Sequence, residues 1–391
     1  MKKINTNGKN TESPAKSVLK NMVLAMTVLM LAATASSCND DEEDIADVSS
    51  SQLKAIVNQY VNNTVIATYR LLADNAMDLQ QACSELYLNP TQTNADYACS
   101  KWIAARKYWE ESEAFLYGPA STYSIDPHID SWPLDQQQLN NLLANQYAMS
   151  QMSADYLAAN CGYGLLGFHA LEYVLFRDGQ PRPISQIPTT ELNYAKAVAE
   201  DLCRQCIRLE ASWAGMSKIS VEKQQILEDC ELEPDMNYGE ILINAGQSGY
   251  TLFRTLNAAI SQILMGCSDI ADEVGNTKIA DPVASGNVLD VESWYSWNSI
   301  ADFADNIRGI SYVYNGGRPE NSNSYSVSSY ISFIDPSLDG KIRQAITDAI
   351  YEIENMPAPF RNHLTETETN AAKQACQKLQ ALLDDAMDII N

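Results

Sequence analysis

Histidine is nearly missing from this chain: only His128, His169 and His363 occur in 391 residues. That scarcity removes the familiar zinc-protease patterns. H-E-x-x-H needs two histidines one helical turn apart, with the glutamate beside the first, but His169 is followed by Ala170 and the i+4 position is Tyr173. The inverted H-x-x-E-H fails as well, because Glu172 precedes Tyr173. A di-iron carboxylate bundle needs Glu-x-x-His motifs on two helices plus two more glutamates, which this histidine count cannot supply. Basic residues are also short, 26 against 50 acidic, for a net charge of −24. Such a surface repels nucleic acid and anionic lipid. No G-x-S-x-G elbow is present, and "GQSGY" at residues 246–250 is only superficially similar, so a serine hydrolase is a poor reading. No stretch shows sustained period-2 alternation with hairpin chemistry, and no repeat of fixed period occurs.

What is present begins with a leader. Residues 1–37 carry five lysines, then the apolar run "MVLAMTVLMLAATA", then small residues ending at Cys38. This order is that of a secretory signal, and its end resembles a bacterial lipobox with Cys38 as the lipidated residue. The alternative, a membrane span, needs about 20 apolar residues, more than this run of 14 offers. Residues 38–50, "CNDDEEDIADVSS", are acidic and read as a solvated tether. They resemble the surface-export signals of Bacteroides-type lipoproteins, or they are a periplasmic spacer. Removing the leader, with its five lysines and Glu12, leaves 21 basic and 49 acidic residues, a net of about −28. Eight cysteines remain after Cys38; in an oxidising compartment they can pair, but spacing does not give the connectivity. Cys203 and Cys206, inside a helical pattern, read as packing or a local disulfide.

The dominant period is helical. Leu53, Ile56, Val57, Tyr60, Val61, Val65, Tyr69 and Leu72 form an i, i+3, i+4, i+7 stripe. Similar stripes recur at residues 102–116, 139–157, 192–211, 241–265, 299–314, 342–353 and 371–390. The fold class is all-α, and long helices suggest bundles. Loops are expected at 117–135, at 177–190, at 275–287 and across the Ser- and Asn-rich residues 315–340. A division near residues 214–222 separates domains at 51–215 and 216–391.

The sharpest candidate is "GFHALEY", Gly167 to Tyr173. His169 and Glu172 share a helix face, Gly167 permits close approach of another backbone, and the neighbours are apolar. An ionisable pair there must be hydrogen-bonded or bind something; spacing alone leaves a metal site and a structural pair equally open. Asp130 and Trp132 in "IDSWPLD" come next, with helix capping as the plain alternative for Asp130. Arg106 is placed to orient a carboxylate such as Glu172. His128 lies in a loop that could reach the site, whereas His363 reads as exposed. Farther on, Ser296, Ser299 and Asp302 cluster near a helix start, with Asn306 one turn beyond; capping and a solvated face compete for them.

"GFHALEY" fits the G-x-H-x-x-E motif of the imelysin family of bacterial periplasmic and lipoprotein-type proteins. "ARKYWEESEAFLYGP" with "IDSWPLD" resembles the family's first conserved region, "ESWYSWNSIADFADNIRGISYVYNG" its second, and "MPAPF" also fits. The match runs the length of the mature chain. The resemblance implies two similar four-helix-bundle domains with a site at their interface. It implies that His169, Glu172, Asp130, Ser299 and Asp302 face that site, supported by Gly167, Arg106, Trp132 and Ser296. It also implies iron uptake, with iron, another divalent metal or a small iron-containing molecule as the ligand, and iron-uptake components and the outer-membrane lipid around Cys38 as partners. The protein would then sit in the cell envelope, facing the periplasm or the exterior. The family has been grouped with metallopeptidases, so a metal-dependent peptidase competes with a non-enzymatic binding protein. A docking lipoprotein whose motif merely pins two helices is a third reading.

Overall fold

The computed structural model describes residues 41–390, with side chains from residue 50 onward. The leader and Cys38 lie outside the described residues. Among those described, no helix is long and apolar enough to cross a membrane.

The described chain is all-α apart from one two-residue hairpin. Helix α1 (Asp41–Gln59) runs through a π-helical turn, Tyr60–Val65, into α2 (Ile66–Leu88), followed by α3 (Gln92–Glu110). Helix α1 thus begins inside the stretch read as a tether. Short helices follow: α4 (Pro119–Thr122), α5 (Ile125–Ile129), α6 (Gln136–Ala144), α7 (Gln146–Ser150) and α8 (Ala154–Asn160). Helix α9 (Gly167–Leu175) carries the motif and leads into β1 (Phe176–Arg177) and β2 (Gln180–Pro181), an antiparallel pair. Then come α10 (Thr189–Ala214), α11 (Val221–Asp229), α12 (Tyr238–Ile243) and α13 (Leu256–Glu273). The rest is α14 (Ala280–Ser285), α15 (Ser299–Asn315), α16 (Val327–Ile334), α17 (Pro336–Glu354) and α18 (Thr367–Ile390).

The first stripe behaves as its period requires: all eight of its apolar residues, from Leu53 to Leu72, are buried. Helix α2 packs on α3 and α10, and α9 packs on α10 and α3. Helix α18 packs on α13 and α17, while α15 packs on α17 and also on α3. Residues 52–390 belong to one compact unit. That α15 contact brings the second half of the chain against Arg106 and its neighbours. It is made close by Gly309, where a Cβ would stand 2.5 Å from the carbonyl oxygen of Glu111, so only glycine allows the approach.

Several boundaries differ from the sequence reading. The stripe at 139–157 is three short helices, because the side chains of Asn145 and Ser153 each cap a new start. The stripe at 241–265 is broken after Ile243, where Gly246 and Gly249 take positive φ and Thr255 caps α13. The segment 315–340, read as a loop, contains α16, which opens on a Ser326–Ser329 capping box, and the start of α17, capped by Asp335 before Pro336. The stretch 275–287 likewise holds a π-helical turn, Val274–Lys278, and α14. The eight described cysteines are unpaired, and Cys203 and Cys206 pack in the core of α10.

Candidate metal centre

Helix α9 is buried at every residue, including His169 and Glu172. Its first residue explains how it reaches its neighbour. Gly167 has φ +73°, and a Cβ there would lie 1.9 Å from the carbonyl oxygen of Ile129. The start of α9 therefore sits directly on the end of α5, and the next residue, Asp130, meets His169. The Trp102 indole donates to the Phe168 carbonyl at 2.9 Å and fixes the same turn.

His169 uses its two ring nitrogens differently. Nδ1 lies 3.2 Å from Glu172 Oε2 in a hydrogen bond. The other oxygen of Glu172 accepts from Tyr295 N at 3.0 Å, Ser296 N at 2.8 Å and Ser296 Oγ at 2.8 Å. Glu172 is thus locked by the segment before α15. Nε2 is 3.1 Å from Asp130 Oδ1 and 3.8 Å from Glu292 Oε1, yet it makes no hydrogen bond; the contact with Asp130 is one of charge, not of aligned donor and acceptor. The Trp132 ring packs on the imidazole with centroids 4.7 Å apart, and its indole nitrogen is buried without a hydrogen bond.

Arg106, fully buried on α3, holds the carboxylates in place. It pairs with Asp130 and Glu110, reaches Glu292 Oε1 at 2.5 Å, and lies 3.8 Å from Asp302 Oδ2. It orients these four, not Glu172. Asp130 also accepts from Trp109 Nε1 at 2.6 Å. Asp302 is bonded to Ser293 and to Asn298, the latter at 2.7 Å. Ser299 donates to the Glu292 carbonyl at 2.5 Å, and Asn306 donates to Glu110 at 2.6 Å. Ser299 and Asp302 therefore support the loop that presents Glu292. His128 pairs instead with Asp201 at 2.7 Å, and His363 is partly exposed, 3.7 Å from Glu366.

The charges do not balance locally. Six carboxylates (Glu110, Glu113, Asp130, Glu172, Glu292, Asp302) surround two permanent cations, Arg106 and Lys278, plus His169. Burial opposes the imidazolium of His169, but Asp130 and Glu172 outweigh it and lift its pKa to about 9. Burial raises Glu110 to about 8 and Asp302 to about 7, even against the pull of Arg106. Burial would also raise Asp130, but Arg106 and His169 hold it well below the usual carboxylate range. Glu292 is likewise lowered, its burial offset by Lys278 and Arg106. Burial, with the neighbouring carboxylates adding to it, thus favours the protonated forms of Glu110 and Asp302.

A cleft of about 860 Å³ leads to this centre. Glu113, Asp126, Asp130, Glu273, Asp281, Asp290 and Glu292 line it, with Lys278 as its one basic residue. Exposed Asp281 and Ser285 stand toward solvent, whereas Glu113 and Glu292 are buried. Asp130, His169 and Glu292 bring one ligand atom each within 4.8 Å of one another, and so do Glu110, Glu113 and Asp130. The sequence reading brought His169, Glu172, Asp130, Arg106 and Trp132 to this place. It passed over Glu292, although that residue opens the quoted "ESWYSWN" stretch, and over the glutamates of "WEESE" and Lys278. Glu292 stands alone in a loop with no spacing rule, whereas the crowded glutamates beside Arg106 were a usable signal.

Comparison with known proteins places the chain in a group. The family model for imelysin, also described as peptidase M75, matches residues 65–386. Iron-regulated protein A of Synechococcus elongatus is 26% identical over 329 residues, covering 84% of this chain and 83% of its own length. The crystal structure of an iron-regulated protein A precursor from Parabacteroides distasonis is 31% identical, covers 88% of this chain and 96% of its own, and superposes with a TM-score of 0.77. An imelysin-like protein from Psychrobacter arcticum shares the fold at 14% identity, with a TM-score of 0.55 over 87% of this chain and 93% of its own. The chain belongs to the imelysin family.

Proposed function

We propose that the protein is a non-enzymatic binder of a divalent cation, iron being its cargo, with His169 Nε2, Asp130 and Glu292 as the ligands. The observation that carries this reading is the division of labour on the His169 ring. Nδ1 is committed to a carboxylate that backbone and hydroxyl donors hold rigid, and this turns an unbonded, buried Nε2 toward two carboxylates. A carboxylate behind a histidine fixes its tautomer and raises its basicity toward a metal. One imidazole with carboxylate oxygens suits iron or manganese at least as well as zinc. The acidic cleft attracts a cation and repels anionic chelates. The names of two relatives, both iron-regulated, support iron as the cargo.

In this reading Glu172 orients His169 and does not ligate. Arg106 positions Asp130 and Glu292, Trp132 covers the imidazole, and Ser296, Ser299 and Asp302 fasten the loop from the second half. Gly167 allows α9 to meet Asp130. We infer further that residues 51–215 and 216–391 act as two helical bundles with the centre between them. The leader is inferred to deliver the chain to the cell envelope and Cys38 to anchor it in the outer membrane, near iron-uptake components. A peptidase is disfavoured because the motif glutamate, the obvious base for a metal-bound water, already has both oxygens engaged.

Calorimetric titration with Fe²⁺, under anaerobic conditions, and with Mn²⁺ tests the reading. Wild type is expected to bind one equivalent and His169→Ala none, with no cleavage of denatured protein substrates by either. Equal binding by both proteins would overturn the assignment, and His169-dependent proteolysis would favour the peptidase.

A further inference from the structure

The loop that closes the His169 centre is bent against its own preference at both ends. Glu292 lies just before it, and Tyr295 and Ser296 give Glu172 three hydrogen bonds from within it. Ser293 and Trp297 bracket that donor stretch, and both take left-handed backbone, with φ +53° and +63°. Neither is glycine, and a side chain as large as tryptophan is rarely found in that conformation. Such residues persist only where the surroundings over-determine them.

Part of that hold comes from the loop's inner side. Trp297 N donates to the Ser293 carbonyl at 3.0 Å, and Ser293 is tied to Asp302. The rest comes from the outer side, from elements remote in sequence. Gly179, in the turn between β1 and β2, donates its N–H to the Tyr295 carbonyl at 3.0 Å. The same residue lies so close to the Trp297 ring that a Cβ would stand 2.4 Å from it. From near the other end of the chain comes Arg361. Its guanidinium lies 3.9 Å from the centre of the Trp294 ring and 5.5 Å from that of Trp297, and it donates to the Trp294 carbonyl at 3.2 Å. A planar guanidinium over two indoles gains from both faces. Arg361 is committed to this loop and not to an acid: its Nε is buried without a hydrogen bond, and among the described residues no carboxylate pairs with it.

We propose that Arg361 is a positioning residue for the cation centre, acting through a clasp on Trp294 and Trp297. By fixing the Trp294 carbonyl and both indoles it keeps the strained loop closed. That closure holds Tyr295 and Ser296 on Glu172, and Glu292 beside His169. When the clasp is lost the loop relaxes, Glu172 loses its donors, and His169 Nδ1 loses its fixed partner. Cation affinity is then set in part from outside the centre. The effect on affinity rests on the His169 reading of the function; the effect on the loop does not.

Amide hydrogen exchange and Mn²⁺ calorimetry on the whole chain test the proposal, in wild type, Arg361→Met and Arg361→Lys. In Arg361→Met, Mn²⁺ affinity is expected to fall about tenfold, and exchange at the metal-free Tyr295 and Ser296 amides to quicken by at least about the same factor, while α10 keeps its protection. Arg361→Lys keeps a cation near Trp294 but not the planar fork, and should fall between the other two in both measurements. If wild type binds no Mn²⁺ but the two amides still quicken in Arg361→Met, the His169 reading fails while the clasp stands. Unchanged exchange at those amides overturns the proposal. So does exchange raised equally throughout the chain, which marks Arg361 as a stabilising residue only. Quickened amides with undiminished Mn²⁺ affinity overturn the positioning role. Should Arg361→Met fail to fold, Arg361→Lys decides: faster exchange confined to the Tyr295 and Ser296 segment, with weaker Mn²⁺ binding, supports the clasp, and any other pattern contradicts it.

Discussion

His128 and His169 each meet an aspartate, yet their surroundings differ in kind. His128 shares a single contact with Asp201 and packs its ring on Tyr163, with 13% of its side chain exposed. His169 is 1% exposed, and carboxylates approach both of its nitrogens from three separate parts of the chain. The difference shows that a histidine and an acid side by side do not make a site. What distinguishes His169 is the convergence of α9, the end of α5 and the loop before α15, with Arg106 between them. A lone pair leaves one partner to be compensated, whereas a buried cluster with unequal charge leaves several.

The largest expected break in this comparison comes from Arg106. Arg106→Met leaves Asp130, Glu110, Glu292 and Asp302 without their shared cation. Chemical unfolding should show a loss of about 3–5 kcal/mol, partly restored by Mn²⁺. The matching change beside His128, Asp201→Asn, keeps a hydrogen-bonding side chain against a single partner and should cost clearly less. Equal losses would erase the distinction.

Glu172→Gln is the next test. The amide can still accept from Tyr295 and Ser296, but it no longer presents a carboxylate to Nδ1. Cation affinity should fall about 10–100-fold with little change in unfolding. A loss of folding with no separate effect on affinity would mark Glu172 as a structural residue only.

Proton competition sharpens the contrast on a finer scale. The metal-free His169 titrates at about 9, above its ordinary value near 6.5. A raised histidine stabilises the fold fully below about pH 6.5, and that contribution fades as pH rises through 9. A metal must displace this proton, so apparent affinity should strengthen by about tenfold between pH 7 and 8. His128→Ala should leave that slope unchanged. A flat profile in wild type would mean that the imidazole is not a ligand.

The helical class was legible because buried faces impose a period: each of the eight residues of the Leu53–Leu72 stripe points inward. The motif helix was legible for a different reason, since an ionisable pair among apolar neighbours requires partners. Glu292 could not be found that way. Its role arises from a loop fastened by Ser299 and Asp302, and tertiary packing alone brings it 3.8 Å from His169. Lys278 was hidden for the same reason, because its direction depends on a π-helical turn that no residue pattern announces. Helix α16 was missed because Ser and Asn are as natural in loops as in the capping box that begins it.

Anomalous scattering from Mn²⁺-loaded crystals tests the central claim most directly. The expected result is a single strong peak within bonding distance of His169 Nε2, Asp130 and Glu292, with Glu172 still bonded to Nδ1. A peak on Glu172, or no peak in the cleft at saturating Mn²⁺, would contradict it.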